Sequence, residues 1–191
     1  FQHGNETKKV HHVILTPTLE TAAQINERLS HHGNLQSDGR PTLNVAPPTL
    51  VEEVMELSKD NMIFPAHAWT PWFSIFGAFS GFDSVEECYQ DMTKHICALE
   101  TGLSSDPPMN WRLSKLDKYT LLSNSDCHSF WPWRMGREAN VFELEKPNYK
   151  EITESIRLKD KKRFMFTIET DPAYGKYHWT GHRNCNVALS A

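Results

Sequence analysis

The sequence predicts an α/β protein, and three observations carry that expectation. Short apolar runs rich in Val, Ile, Leu and Phe alternate with stretches whose apolar residues recur every three or four positions, the periodicities of strands and helices. Helix-start signals fall between those runs: Pro47-Pro48-Thr49 precedes one helical stretch and Ser84-Val85-Glu86-Glu87 opens another. The composition is that of a folded domain, with 39% hydrophobic and 23% charged residues and six Trp and ten Phe for a core, which excludes disordered, collagen-like and coiled-coil chains. At roughly 150 residues per domain, 191 residues make one domain with a short tail.

The elements follow in order. Val10 to Thr16 reads as a strand, and Leu19, Ala22, Ala23, Ile25 and Leu29 mark one apolar face of a helix. A Gly/Asn/Asp-rich loop from His31 to Arg40 leads to a second helix bearing Leu50, Val54, Met55 and Leu57. Met62 to Ala66 is a short buried strand. After an aromatic loop, Ser84 and Glu87 form a capping box, and Ile96 to Leu99 is the next strand. Met109 to Lys118 is a weak helix, Tyr119 to Ser123 and Asn140 to Leu144 are strands, Tyr149 to Leu158 is a helix and Phe164 to Ile168 a final strand. Strands separated by helices imply a largely parallel sheet, since parallel neighbours need a crossover.

Charge and cysteines narrow the function classes. Twenty Lys and Arg against 24 Asp and Glu give a net charge of −4, so no global positive field recruits a polyanion, and one would have to be held locally. No stretch approaches the roughly 20 apolar residues of a membrane span, and Phe1-Gln2-His3-Gly4-Asn5 has no signal-peptide pattern, which predicts a soluble, cytoplasmic protein without membrane contact. Cys88, Cys97, Cys127 and Cys185 include no CxxC pair and suit a reducing compartment. The lack of an initiator Met and a last stretch, Asn184 to Ala191, without a docking element lead us to expect a fragment of a longer chain.

In α/β sheets ligands bind where strands end. Three consecutive predicted strands end in His67, Glu100 and Asp126-Cys127-His128, and the two-residue spacing puts Asp126 and His128 on one side of an extended chain. Imidazole and carboxylate are the ligand types of zinc or manganese. Each has an ordinary alternative: a buried structural histidine for His67, a paired carboxylate for Glu100, a turn cap for Asp126. Their shared position at one end of one sheet favours a common site. Trp69, Trp72, Phe73, Phe76 and Phe79 read as lid or core packing, or as faces on which a base stacks. Arg112, Arg134 and Arg137 are either phosphate-binding donors or solvated surface arginines. His11 and His12, neighbours in a strand, point to opposite faces and cannot share an ion, and we set both pairs, His11-His12 and His31-His32, aside.

Four blocks carry a resemblance: Pro65 to Trp72, Leu99 to Arg112, Ser123 to Ser129 and Gly136-Arg137-Glu138-Ala139-Asn140, supported by Gly175 to His178 and Gly181 to Cys185. In them the chain resembles the endonuclease Q family of the polymerase-and-histidinol-phosphatase (PHP) superfamily. The resemblance implies part of a distorted (β/α)7 barrel over residues 1–170, with a tail over 171–191 leading towards a truncated zinc module. It implies a divalent metal (zinc, manganese or magnesium) and cleavage of DNA on the 5′ side of deaminated bases or abasic sites in repair. Carried over by position, His67, Asp126 and His128 match the metal ligands, with Glu100 a further candidate. Asp126 and His128 are then expected to carry the chemistry, and of the residues read above Trp69, Trp72, Arg112, Arg134 and Arg137 are expected to face the substrate. A small-phosphate-ester phosphatase and a non-catalytic domain are the alternatives. The family's opening His-x-His strand is not present, Ala188 stands where a CxxC position is expected, and Asp-Ala-His-Ser-Pro appears as Asp126-Cys127-His128-Ser129-Phe130. The implied fragment holds about half the metal shell and is expected to be inactive by itself.

Overall fold

The computed structural model describes residues 1–37, 41–175 and 177–189; the end of the predicted His31 to Arg40 loop, Lys176 of the Gly175 to His178 block, and the last two residues of the tail lie outside the described residues. The strands are β1 (Gln2–His3), β2 (Glu6–Thr7), β3 (His12–Leu15), β4 (Met62–Pro65), β5 (Ala98–Glu100), β6 (Thr120–Leu122), β7 (Ala139–Phe142), β8 (Phe164–Ile168), β9 (Thr180–His182) and β10 (Val187–Leu189). The α-helices are α1 (Leu19–Leu29), α2 (Pro47–Leu57), α3 (Val85–Tyr89), α4 (Pro107–Trp111) and α5 (Tyr149–Arg157). The fold is mixed α/β.

The helices start where the local chemistry says they should. The Thr18 hydroxyl accepts the Thr21 N–H at 3.1 Å, and Ser84 and Asn148 do the same for Glu87 and Glu151 at 3.0 Å each, satisfying amides that have no intrahelical partner. Glu87 reaches back to the Asp83 N–H at 2.9 Å, so the predicted box forms one residue wider than its ideal. α2 opens on two prolines and ends at Leu57 because Ser58 is extended. The weak helix predicted over 109–118 splits into α4, capped by Asp106, and a 3-10 turn at Ser114–Leu116.

Strand order corrects the largely parallel sheet. The strands form five two-stranded ladders, of which β5–β6 alone is parallel, and they do not close into a barrel among the described residues. Two helices separate β3 from β4, so the chain crosses the layer twice and re-enters it from the end it left; Val13 therefore pairs with Phe64 antiparallel. α5, between β7 and β8, does not bridge them as a crossover. It packs Ile156 against Met62, Phe64, Ala98 and Leu122 of β4, β5 and β6, and β8 folds back on β7.

Burial follows the period of two along the strands. Ile63 and Leu99 join α1, α2, Val85 and Tyr89 in one core, whereas Met62, Phe64, Ala98 and Leu122 join Ile156 in a second. Strands covered on both faces carry continuous apolar runs, which is why Met62 to Pro65 is buried throughout. Fully burying Ile63 or Leu99 contributes roughly 1.5–3 kcal/mol each. The second layer is tied down by polar contacts of α5: Arg157 Nη2 donates to Asp60 O and Asn61 O at 2.8 Å, and the Tyr149 hydroxyl lies 2.7 Å from Asp60 O.

Candidate metal centre

The end of the sheet where β4, β5 and β6 finish is also the end where β3 begins, because β3 runs against β4. His11, one residue before β3, extends that ladder: its carbonyl accepts the Ala66 N–H at 2.9 Å and its N–H donates to Phe73 O at 2.8 Å. This register brings the His11 ring beside His67, with His11 Nδ1 3.0 Å from His67 Nε2. His12 turns to the other side, edge-on to Tyr89 at 5.7 Å, where burial holds its pKa down to about 4.

His11, half-buried, His67, buried, and Asp126, exposed, each offer one ligand atom, and the three atoms lie within 4.8 Å of one another. Two imidazole nitrogens about 3 Å apart are spaced as neighbouring ligands of one ion with bonds near 2.0–2.1 Å. The Thr70 hydroxyl lies 2.9 Å from both His67 Nδ1 and Trp72 O. Its proton goes to the carbonyl, so it accepts from Nδ1–H and His67 Nε2 carries the lone pair a cation needs. Two imidazoles and a carboxylate therefore fit a divalent ion.

Both His67 and Asp126 have left-handed backbones, φ 29° and 44°, an arrangement that costs a non-glycine residue energy and persists where its surroundings enforce it. Glu100 is part of that enforcement. Its carboxylate accepts the His67 N–H at 2.7 Å on one oxygen and Asn124 Nδ2 at 2.6 Å on the other, while its carbonyl accepts the Ala68 N–H at 2.9 Å. Burial raises its pKa, opposed by the Asn124 and His67 bonds and assisted by the charges of Asp126 and Glu138. With both oxygens engaged, Glu100 stands behind the His67 turn and outside the three-residue cluster. His128 is folded onto Asp126, its Nδ1 2.7 Å from Asp126 O and 3.5 Å from Asp126 Oδ1.

The other predicted site residues divide. Trp69 packs on the core with its ring 4.6 Å from Phe76, and its Nε1 donates to Asn110 at 2.8 Å. Trp72 is exposed and stacked on Phe79 at 5.0 Å. Arg112 and Arg134 are exposed, and Arg137 Nη2 donates to Ser125 O at 2.7 Å. His11, set aside on sequence, joins the cluster; the signal that finds it is the even number of helices between β3 and β4.

Behind the site, burial pushes the Glu169 carboxyl up to about 7, against hydrogen bonds from Thr167 and Thr101 and with help from the charges of Glu138 and Asp106. Between pH 4.5 and about 7 the folded state then keeps a proton that the unfolded chain has released. Its stabilising contribution is complete below 4.5 and disappears as pH rises through 7. Glu169→Gln is accordingly expected to gain melting temperature relative to the parent as pH is raised from about 5 to 8.5; parallel melting curves across that range would show that Glu169 titrates normally.

No family model matches the chain. Among solved structures, the lesion-specific endonuclease PfuEndoQ from Pyrococcus furiosus superposes with a TM-score of 0.83 at 35% identity, over 96% of this chain and 45% of that one. The chain resembles endonuclease Q. A second structure, endonuclease Q in complex with a 27-mer duplex carrying an abasic lesion at the active site, matches with a TM-score of 0.82 and 35% identity over 95% of this chain and 45% of that one. Two curated relatives are uncharacterized proteins. MJ0043 of Methanocaldococcus jannaschii is 33% identical over 126 residues, 63% of this chain and 15% of its own length. YqxK of Bacillus subtilis is 28% identical over 181 residues, 92% of this chain and 44% of its own length. The chain thus spans less than half the length of each of these proteins. No helix among the described residues is long and apolar enough to cross a membrane.

Proposed function

We propose that this chain carries part of the metal centre of a DNA-repair endonuclease that cleaves a phosphodiester 5′ to a deaminated base or abasic site, in a PHP-type barrel. The observation that supports this most is the convergence of His11, His67 and Asp126 within 4.8 Å at one end of the sheet, in a chain similar to endonuclease Q over nearly all its length. His11, His67 and Asp126 would hold a divalent ion there, zinc, manganese or magnesium, and it would supply a water of lowered pKa and offset charge on the phosphate. His11 and His67 provide neutral nitrogen donors, Asp126 a carboxylate open to solvent. His128 gives its Nδ1 to the Asp126 carbonyl, which leaves Nε2 for a further ligand or proton. The exposed Trp72–Phe79 stack and Arg112 and Arg134 suit bases and phosphates more than a small ester.

The test is nicking by the product of the complete reading frame. Duplexes containing an abasic site, a uracil or neither are incubated with Mn²⁺ and with EDTA. Manganese-dependent nicking beside the lesion is expected, stopped by EDTA; equal treatment of all three duplexes overturns the reading. The 191-residue chain by itself is expected not to nick, because three donors hold one ion and the two-ion clamp of in-line displacement needs more.

A further inference from the structure

We propose that Asn140 is a positioning residue of the metal centre, fixing the His67 turn through Asn124 and Glu100 and the start of the Asp126 loop through Ser123. The inference rests on the metal-centre reading above. Asn140 lies on β7, outside the cluster. Its side-chain amide imitates a strand partner: Oδ1 accepts the Ser123 N–H and Nδ2 donates to Ser123 O, both at 2.9 Å. The same Nδ2 donates to Asn124 Oδ1 at 3.0 Å, and Asn124 Nδ2 donates in turn to Glu100 Oε1 at 2.6 Å. The other Glu100 oxygen takes the His67 N–H. One amide thus ties together two segments that bring ligands from different strands.

Its neighbours grip the same loop. Ser123 Oγ lies 2.7 Å from Glu138 Oε2, and Arg137 holds Ser125 O one residue before Asp126. The Gly136 to Asn140 segment therefore clamps residues 123–125 from one side, and the relay through Asn124 ends on buried Glu100. Such an arrangement has a purpose where His67 and Asp126 must be kept in left-handed conformations that they would otherwise leave. Partners that orient ligands are typically worth about 10–100-fold in metal affinity.

The experiment uses the whole chain and Zn²⁺ alone as probe, with two readouts: zinc affinity by calorimetry and amide hydrogen exchange at His67 in the metal-free protein. Asn140→Ala is expected to weaken zinc binding at least about tenfold and to speed exchange at His67. Asn124→Ala, which cuts the relay but spares the Ser123 pairing, should do the same if Asn140→Ala folds poorly. Asn61→Ala is the control: its buried amide donates to Val54 O at 2.7 Å just before β4 begins, at the end of that strand opposite His67, so it should lower the melting temperature and leave zinc affinity alone. Unchanged affinity in both relay variants overturns the proposal, as does an equal loss in Asn61→Ala. A parent chain that binds no zinc removes the metal-centre reading and the proposal with it, whereas intact parent binding with unchanged His67 exchange removes the relay alone.

Discussion

Replacing His67 by alanine is expected to lower the affinity for Zn²⁺ or Mn²⁺ by at least about 100-fold, a loss near 3 kcal/mol at 1.4 kcal/mol per tenfold. His67 is the buried member of the cluster, its ring position set from three sides: the Thr70 hydroxyl on Nδ1, the Glu100 carboxylate on its backbone N–H and His11 beyond Nε2. A donor held this way has lost its freedom before the ion arrives, so little entropy remains to oppose binding. His11→Ala should cost a similar amount, because the 3.0 Å separation suits the two nitrogens to neighbouring positions on one ion. Calorimetric titration checks both, with melting in EDTA as the control for folding. If His67→Ala binds zinc as the parent does, the cluster is a histidine pair bridged by a proton and the ion is held elsewhere. On the proposed function, the same substitution in the product of the complete reading frame should abolish lesion-dependent nicking.

The contrast between His67 and His11 shows what a sequence reveals of such a site. His67, Glu100 and Asp126 are legible as candidates because His67 and Glu100 directly follow apolar runs and Asp126 lies in the polar loop after one, and the end of a strand is where a side chain leaves the packed layer. His11 precedes its strand. In a parallel sheet that places it at the far end, and only the pair of helices α1 and α2, which reverse β3 against β4, returns it to the site. Local signals such as the Ser84 box and the prolines of α2 act within a few residues and are readable one by one. Strand direction depends on how whole helices pack, as α5 illustrates by seating Ile156 on β4, β5 and β6 and not bridging its own neighbours. Glu100 illustrates a second limit: position marked it as part of the site, while its role, bonding to the His67 backbone and Asn124, depends on a residue 24 positions further along the chain.

Gly102→Ala is expected to destabilise the protein by about 3 kcal/mol, combining the roughly 1–2 kcal/mol of a left-handed alanine with the strain of overpacking. Gly102 has φ +66°, and a Cβ placed there would sit 2.7 Å from His67 Cβ and 2.9 Å from His67 Cα. Neither atom is the movable end of a side chain, so the His67 turn itself must shift. Its room is small: the Glu100 carboxylate holds its N–H and the ladder from β3 holds the preceding Ala66. For a domain of this size, 3 kcal/mol corresponds to a fall in melting temperature of roughly 6–12 °C. The displacement should also weaken zinc binding, since a ligand moved by a few tenths of an ångström no longer meets the ion together with His11 and Asp126. Thermal melting and calorimetry on the same variant separate the two consequences. A melting temperature within about 2 °C of the parent, together with unchanged zinc affinity, would mean that the chain at Gly102 yields and that His67 is placed by Glu100 and Thr70 alone.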